Sequence, residues 1–352
     1  LATVSISSKK IRFAPPILEE VRAQGRLRLG LLGGGTDVPP FSSKVGGIVL
    51  NLAVNLYPVD VRLVPFDAGV KVRALDYGLE YEASSLEGRL KRGETQLVAG
   101  AYTAVKDYFG IDDSLSNIEI SICAGVSPRS GLGASAAITV ALVKLFSSCF
   151  GASVGRADLL KMAIRAERDI CGVPGGVQDF VPAIWGGLSC VQVRPSALIS
   201  VESIQEPLGF RELLFKQFLL INLTNFPGHP LRRNQRSVSE AEREEHLTDL
   251  RASSIRGTEY LRAGDTHGFL REVSYSWNLK AEFIGRFDTR FDEVRRALGG
   301  LVHAMKPMGS HPSNFAVALL KPGLEPEIHQ ILGNYSLEAS PVGIYSEGGT
   351  LG

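Results

Sequence analysis

The segment Pro128-Arg129-Ser130-Gly131-Leu132-Gly133-Ala134-Ser135-Ala136-Ala137 follows an alternating stretch, Ile118, Ile120, Ile122, and runs straight into the apolar Ile138-Thr139-Val140-Ala141-Leu142-Val143. Strand, glycine loop and helix in that order build an anion site. The glycines let backbone N–H groups crowd around a phosphate, and the helix N-terminus behind them adds a favourable dipole. Small residues open the helix, so an oxyanion can come close. Ser135 places a hydroxyl in the first turn, where it can hold Mg2+ beside phosphates. No Gly-Lys-Ser/Thr follows the glycines, so this is not a Walker A loop, and Ala136 breaks a Gly-x-Gly-x-x-Gly pattern. The plain alternative is a tight turn capping a buried helix.

Two more segments carry reactive side chains. The first runs Arg26-Leu27-Arg28-Leu29-Gly30-Leu31-Leu32-Gly33-Gly34-Gly35-Thr36-Asp37-Val38-Pro39-Pro40-Phe41. A carboxylate on a glycine-hinged turn can accept hydrogen bonds from two ligand hydroxyls, and a nearby guanidinium can stabilise anionic oxygen. Without more context, Asp37 reads as an Asx turn leading into the prolines. The second is Glu167-Arg168-Asp169-Ile170-Cys171-Gly172-Val173-Pro174-Gly175-Gly176-Val177-Gln178-Asp179-Phe180. Asp158 is the expected N-cap of the helix before it, and Gly172 and Pro174 end that helix. The plain alternatives are a surface pairing of Glu167 with Arg165 or Arg168, and Asp179 as the cap of the next helix.

Together these segments resemble the GHMP kinases. Pro128, Gly131, Leu132, Gly133, Ser135 and Ala136 match the family's second motif, with Ala134 in place of the first of two serines. The first segment is similar to motif one as it stands in the heptose 7-phosphate kinase and L-fucose kinase branch. The resemblance implies an α/β (α+β) fold of two domains. Residues 1–195 would form an S5-like half binding nucleotide and magnesium, and residues 196–352 a ferredoxin-like half. It implies ATP and Mg2+ as cofactors, with Pro128, Gly131, Leu132, Gly133, Ala134, Ser135 and Ala136 at the nucleotide and Ser135 and Glu167 at the metal. It also implies Asp179 and Arg28 as catalytic groups, and Gly34, Gly35, Thr36, Asp37 and Asp179 at the substrate. The implied activity is ATP-dependent phosphoryl transfer to a sugar or sugar-phosphate alcohol, at the anomeric hydroxyl of a heptose 7-phosphate.

One departure opens an alternative. Where the family has a glycine-rich third motif, this chain reads Met305-Lys306-Pro307-Met308-Gly309-Ser310-His311-Pro312-Ser313-Asn314. Proline bars the left-handed turns that glycine allows. Either the loop is remade around a different substrate, with Lys306 and His311 as phosphate contacts, or the chain is a catalytically decayed nucleotide- or sugar-binding regulator. Lys280, Arg232, Arg233 and His229 are further cationic candidates for a sugar phosphate, and Trp277 is expected in the core.

Composition agrees with an enzyme of small molecules. The chain has 352 residues, 44% hydrophobic and 21% charged, with a net charge of +1, which argues against a nucleic-acid groove. The longest apolar run, from Ala134 to Phe146, is interrupted by Lys144 and too short to span a bilayer. The start lacks a signal-peptide layout and a Met, and the four cysteines show no C-x-x-C spacing. A cytoplasmic protein with free thiols is the economical expectation, with no nucleic-acid or membrane partner and a homodimer allowed. Strands are expected at 61–66, 70–74, 187–193 and 218–223, and helices at 97–109, 237–262 and 267–280. The run of charges from Glu240 to Glu245 is expected to be a solvated helix face.

Overall fold

The computed structural model describes residues 19–86, 94–112, 114–127, 130–226, 239–284, 289–309 and 313–346. Pro128, His229, Arg232, Arg233 and His311 lie outside the described residues. The chain groups into two units that interleave along the sequence. One comprises residues 1–25, 57–126 and 135–174, and the other residues 26–56, 127–134 and 175–352.

The first unit is built on a five-stranded sheet. Its strands, numbered along the whole chain, are β1 (Val21–Gly25), β4 (Val59–Pro65), β5 (Val70–Ala74), β6 (Leu79–Ala83) and β7 (Ile118–Cys123), in the order β1-β4-β7-β5-β6. Alternation explains it: β4 and β7 bury every second residue, the mark of a sheet with one covered face. β4 and β5 flank a turn, as expected from sequence, but they do not pair. β7 lies between them, antiparallel to β4 and parallel to β5. The helix Ala134–Cys149 is apolar on nearly all sides and buried accordingly.

The second unit holds two antiparallel four-stranded sheets. One contains β2 (Arg28–Leu32), β3 (Gly47–Ala53), β8 (Leu188–Val193) and β9 (Ile199–Ile204), in that order. The other contains β10 (Phe218–Asn222), β11 (Val302–Pro307), β12 (Phe315–Leu320) and β13 (Glu338–Pro341), in the order β11-β12-β10-β13. Two long helices, Glu240–Arg262 and Thr266–Ile284, pack on each other and on β2. The first begins with a capping box at Ser239. The Ser239 side chain accepts from the Glu242 N–H, while the Glu242 carboxylate accepts from the Ser239 N–H. The Glu240 to Glu245 stretch is exposed, as expected. Trp277 is buried in the second helix, its indole N–H donating to the Leu31 carbonyl at 2.6 Å. Among the described residues no central all-parallel sheet of the Walker type occurs, because every strand pair except β5–β7 is antiparallel.

Candidate active site

In the second unit Gly131 to Gly133 of the glycine loop, Arg28 of β2 and Asp179 meet. β2 is buried along its whole length, so Arg28 leaves it already desolvated, 5% exposed. Its backbone N–H donates to the Leu132 carbonyl at 2.9 Å, and its Nη1 donates to the Gly131 carbonyl at 2.5 Å. Nε and Nη2 both reach Asp179 Oδ1 at 2.7 Å. Two N–H groups thus converge on one carboxylate oxygen in a charge-assisted pair. Asp179 occupies the N-cap position of the helix Phe180–Trp185 but makes no side-chain cap bond. The capping alternative therefore fails, since the carboxylate is turned to the arginine instead. Gly133 has φ +78°, and a Cβ there would meet Arg28 Cγ at 3.2 Å and Asp179 Cβ at 3.4 Å. A side chain at this position would crowd both groups.

Asp37 is 2% exposed and does not close an Asx turn. Its two oxygens accept from Gln178, Oδ2 from the backbone N–H and Oδ1 from Nε2, both at 2.9 Å. Burial pushes its carboxyl above the usual range, the Gln178 bond opposes that, and the Asp179 charge adds to it. Gly176 packs directly on the carboxylate, where a Cβ would collide with it. Thr36, assigned to the substrate from the sequence resemblance, has its hydroxyl engaged by backbone. It donates toward the Gly33 and Ile48 carbonyls at 2.8 and 3.1 Å and accepts from the Ile48 N–H at 3.1 Å. Its side chain holds the turn that presents Gly34, Gly35 and Asp37.

The third-motif segment does what its glycine-poor sequence argued against. Gly131 has φ +72°, and a Cβ on it would collide with the Met308 carbonyl. Gly309 has φ +64°, and a Cβ there would stand 2.6 Å from Gly131 Cα. Ser313 Oγ donates to the Ser130 carbonyl at 2.8 Å. One glycine on each side and a serine clamp bring the two loops into backbone contact, so the loop has its support without a glycine run.

Lys306 corrects the sequence expectation. It is not a free phosphate contact: all but the first two residues of β11 are buried, and the ammonium of Lys306 is turned inward to the Gly30 carbonyl. Its Nζ lies 5.1 Å from the Trp277 ring centre, and burial, helped by Lys280 and Arg28, pushes its pKa well below the usual lysine value. Lys280, half-buried on the Thr266–Ile284 helix, donates to the Gly309 carbonyl at 3.3 Å.

In the first unit, the helix that carries Glu167 begins after Gly155. Asp158 sits in its first turn and not at the cap, because Gly155 already supplies the extended residue. The helix Arg156–Ile164 continues as a π-helical turn, Arg165–Ile170, a geometry frequent at functional sites. Glu167 is 1% exposed and accepts from Ser135 Oγ at 2.8 Å. Arg168 pairs with it at 3.2 Å, as one sequence alternative held, but in the interior and not on the surface. Arg165 pairs with Asp107. Ser135 itself is exposed and lies in the first turn of Ala134–Cys149, where backbone N–H groups lack intrahelical acceptors. Leu132 and Ala136 are buried supports, and Ala134 opens the helix. Sequence reasoning missed Gln178 and Asn51 as site residues. Gln178 was visible as the residue before Asp179, but its hold on Asp37 spans a sequence separation that no local pattern reports. Asn51 donates from Nδ2 to the Gln178 carbonyl at 3.1 Å from the middle of β3.

Residues 96–187 match the GHMP kinases N terminal domain. The chain is 30% identical over 189 residues to the D-glycero-alpha-D-manno-heptose 7-phosphate kinase of Campylobacter jejuni subsp. jejuni, a match covering 53% of this chain and 55% of that enzyme. The chain thus spans about half the length of that curated relative. A solved D-glycero-D-manno-heptose 1-phosphate kinase from Bacteroides thetaiotaomicron superposes with a TM-score of 0.75 at 23% identity, covering 93% of this chain and 97% of that one. Lactococcus lactis galactokinase complexed with galactose gives 0.68 at 15%, covering 94% and 95%. Residues 96–187 thus carry the match to the GHMP kinases N terminal domain, and the chain shares the fold of these solved kinases.

Proposed function

We propose that the protein is an ATP-dependent carbohydrate kinase acting on a sugar phosphate, with the anomeric hydroxyl of a heptose 7-phosphate as acceptor. The observation that carries this reading is the convergence of Gly133, Arg28 and Asp179. It sets a phosphate-binding backbone beside a guanidinium and a carboxylate. In the reaction, the acceptor oxygen attacks the γ-phosphorus of ATP, the bond to the β-phosphate oxygen breaks, and ADP leaves. Asp179 orients the acceptor hydroxyl and receives its proton. Arg28 offsets charge on the transferring group, and Asp37 accepts from sugar hydroxyls. Such transfer is mostly positioning and charge neutralisation, so the set needs no covalent nucleophile.

The residues present fit magnesium. Ser135 Oγ and Glu167 Oε1 are hard oxygen donors held 2.8 Å apart. Among the described residues no cluster of three or more metal-ligating side chains exists. Mg2+ suits such a sparse set, because it takes one or two carboxylates and fills its sphere with water and substrate phosphate. The metal would neutralise phosphate charge there. Gly131, Gly133 and the first turn from Ala134 to Ala136 would hold the nucleotide. A division of labour between residues 1–195 and 196–352, drawn differently from the two contact units, completes the reading. So does a cytoplasmic setting without nucleic-acid or membrane partners, with a homodimer allowed. No helix among the described residues is long and apolar enough to cross a membrane.

Asp179→Asn tests the assignment. Turnover is expected to fall by about 10^2–10^4, the range for loss of a general base, with ATP affinity near that of the wild type in direct titration. Undiminished turnover would remove Asp179 from its role.

A further inference from the structure

Beside Asp37, three polar side chains face a small space over two glycines of the second unit. A Cβ built on Gly34 would stand 3.7 Å from Gln178 Oε1 and 3.8 Å from Lys280 Nζ. A Cβ built on Gly30 would stand 3.5 Å from both Asn51 Oδ1 and Gln178 Oε1. The amide orientations follow from their bonds. Gln178 Nε2 donates to Asp37 Oδ1, so Oε1 is the atom facing the glycines. Asn51 Nδ2 donates to the Gln178 carbonyl, so its Oδ1 is likewise an acceptor. Asn51 is wholly buried, and that oxygen has no hydrogen-bond partner among the described residues. A buried acceptor left unmet is costly, and a ligand hydroxyl that meets it recovers the loss. Lys280 uses one of its three hydrogens on the Gly309 carbonyl.

We propose that Gln178 and Lys280 form a specificity subsite over Gly34 that grips one non-reacting ring hydroxyl of the acceptor, with Asn51 Oδ1, over Gly30, accepting from a second hydroxyl. The first hydroxyl accepts from Lys280 Nζ and donates to Gln178 Oε1, so each bond polarises the other. This rests on the sugar-kinase reading. Lacking a Cβ, Gly34 leaves the hydroxyl its room. A hydrogen-bonding pocket of this kind discriminates strongly against a deoxy sugar, because the analogue leaves the buried groups unpaired.

The groups around Lys280 make its part separable from scaffolding. Burial and Arg28 on β2 push its pKa down to about 8, against the upward pull of Asp179 and Asp37. His246 on the Glu240–Arg262 helix and Lys306 on β11 also face it electrostatically. The ammonium is therefore lost as pH rises through about 8, and the grip weakens with it.

The test measures acceptor KM from about pH 6.5 to 9, a span that brackets the lysine's titration, for the wild type, Lys280→Met and Lys280→Gln. Acceptors are D-glycero-D-manno-heptose 7-phosphate, D-mannose and the monodeoxy mannoses, with ATP saturating. For the wild type, KM is expected to climb above about pH 8 and to be roughly tenfold or more higher for one deoxy sugar. Lys280→Met should raise KM by roughly tenfold or more, flatten both differences and leave the ATP KM unchanged. Lys280→Gln, still a donor, should recover part of the affinity with no pH dependence. An acceptor KM unchanged in both variants, or a loss confined to kcat, overturns the subsite while the kinase reading stands. A wild type silent on every sugar overturns both.

Discussion

Lys306 is a buried lysine whose amine reaches a backbone carbonyl. Its pKa is lowered in the fold, so between that lowered value and the ordinary 10.5 the folded chain binds fewer protons than the unfolded one. Stability then rises with pH across that window, by about 1.4 kcal/mol per pH unit where the two states differ by a full proton. Lys306→Met removes this dependence. The variant's melting temperature is expected to stand highest relative to the wild type at low pH, with the gap narrowing as pH rises toward 10.5, read by thermal unfolding at a series of pH values. A gap independent of pH would mean that the amine is not desolvated. The sequence showed this lysine between Met305 and Pro307 but not the direction in which β11 faces it, because a strand buried on both faces has no alternation to read.

At the scale of elements, the glycine loop and the Met308–Gly309 segment hold each other at backbone distance. Gly309→Ala would place a methyl 2.6 Å from Gly131 Cα in a left-handed conformation. Strain and overpacking together are expected to cost on the order of 2 kcal/mol or more and to raise the ATP KM, while Gly300→Ala, with open space around it, serves as a control. Equal effects of the two substitutions would mean that the segment does not support the loop. The loop's own strand–glycine–helix order was legible because it is local, from the Ile118 alternation to the Ala134–Cys149 helix. Its partner was not. The expectation of a missing third motif counted glycines, whereas the structure needs only one, at Gly309, with Ser313 completing the contact. Asp158 shows the same limit: a good capping residue lost its place to Gly155, three positions earlier.

For the whole molecule, the candidate residues Arg28, Asp37, Ser135, Glu167 and Asp179 come from three short segments of sequence, and the pairs Arg28–Asp179 and Ser135–Glu167 form as hydrogen-bonded contacts. The pairing of strands was less legible. β4 and β5 flank a turn yet pair through β7, because register depends on contacts distant in sequence. The non-catalytic alternative drew its force from the third motif, and the Gly131–Gly309 contact takes that support away. What the whole fold is proposed to accomplish is acceptor-dependent phosphoryl transfer. The most direct measurement is ADP release from MgATP with D-glycero-D-manno-heptose 7-phosphate, the product followed by phosphorus NMR. The expected result is ADP formed in step with a new phosphate ester on the anomeric oxygen, absent without sugar or with EDTA. ATP binding with no acceptor-dependent ADP, across heptose phosphates and neutral sugars alike, would contradict it.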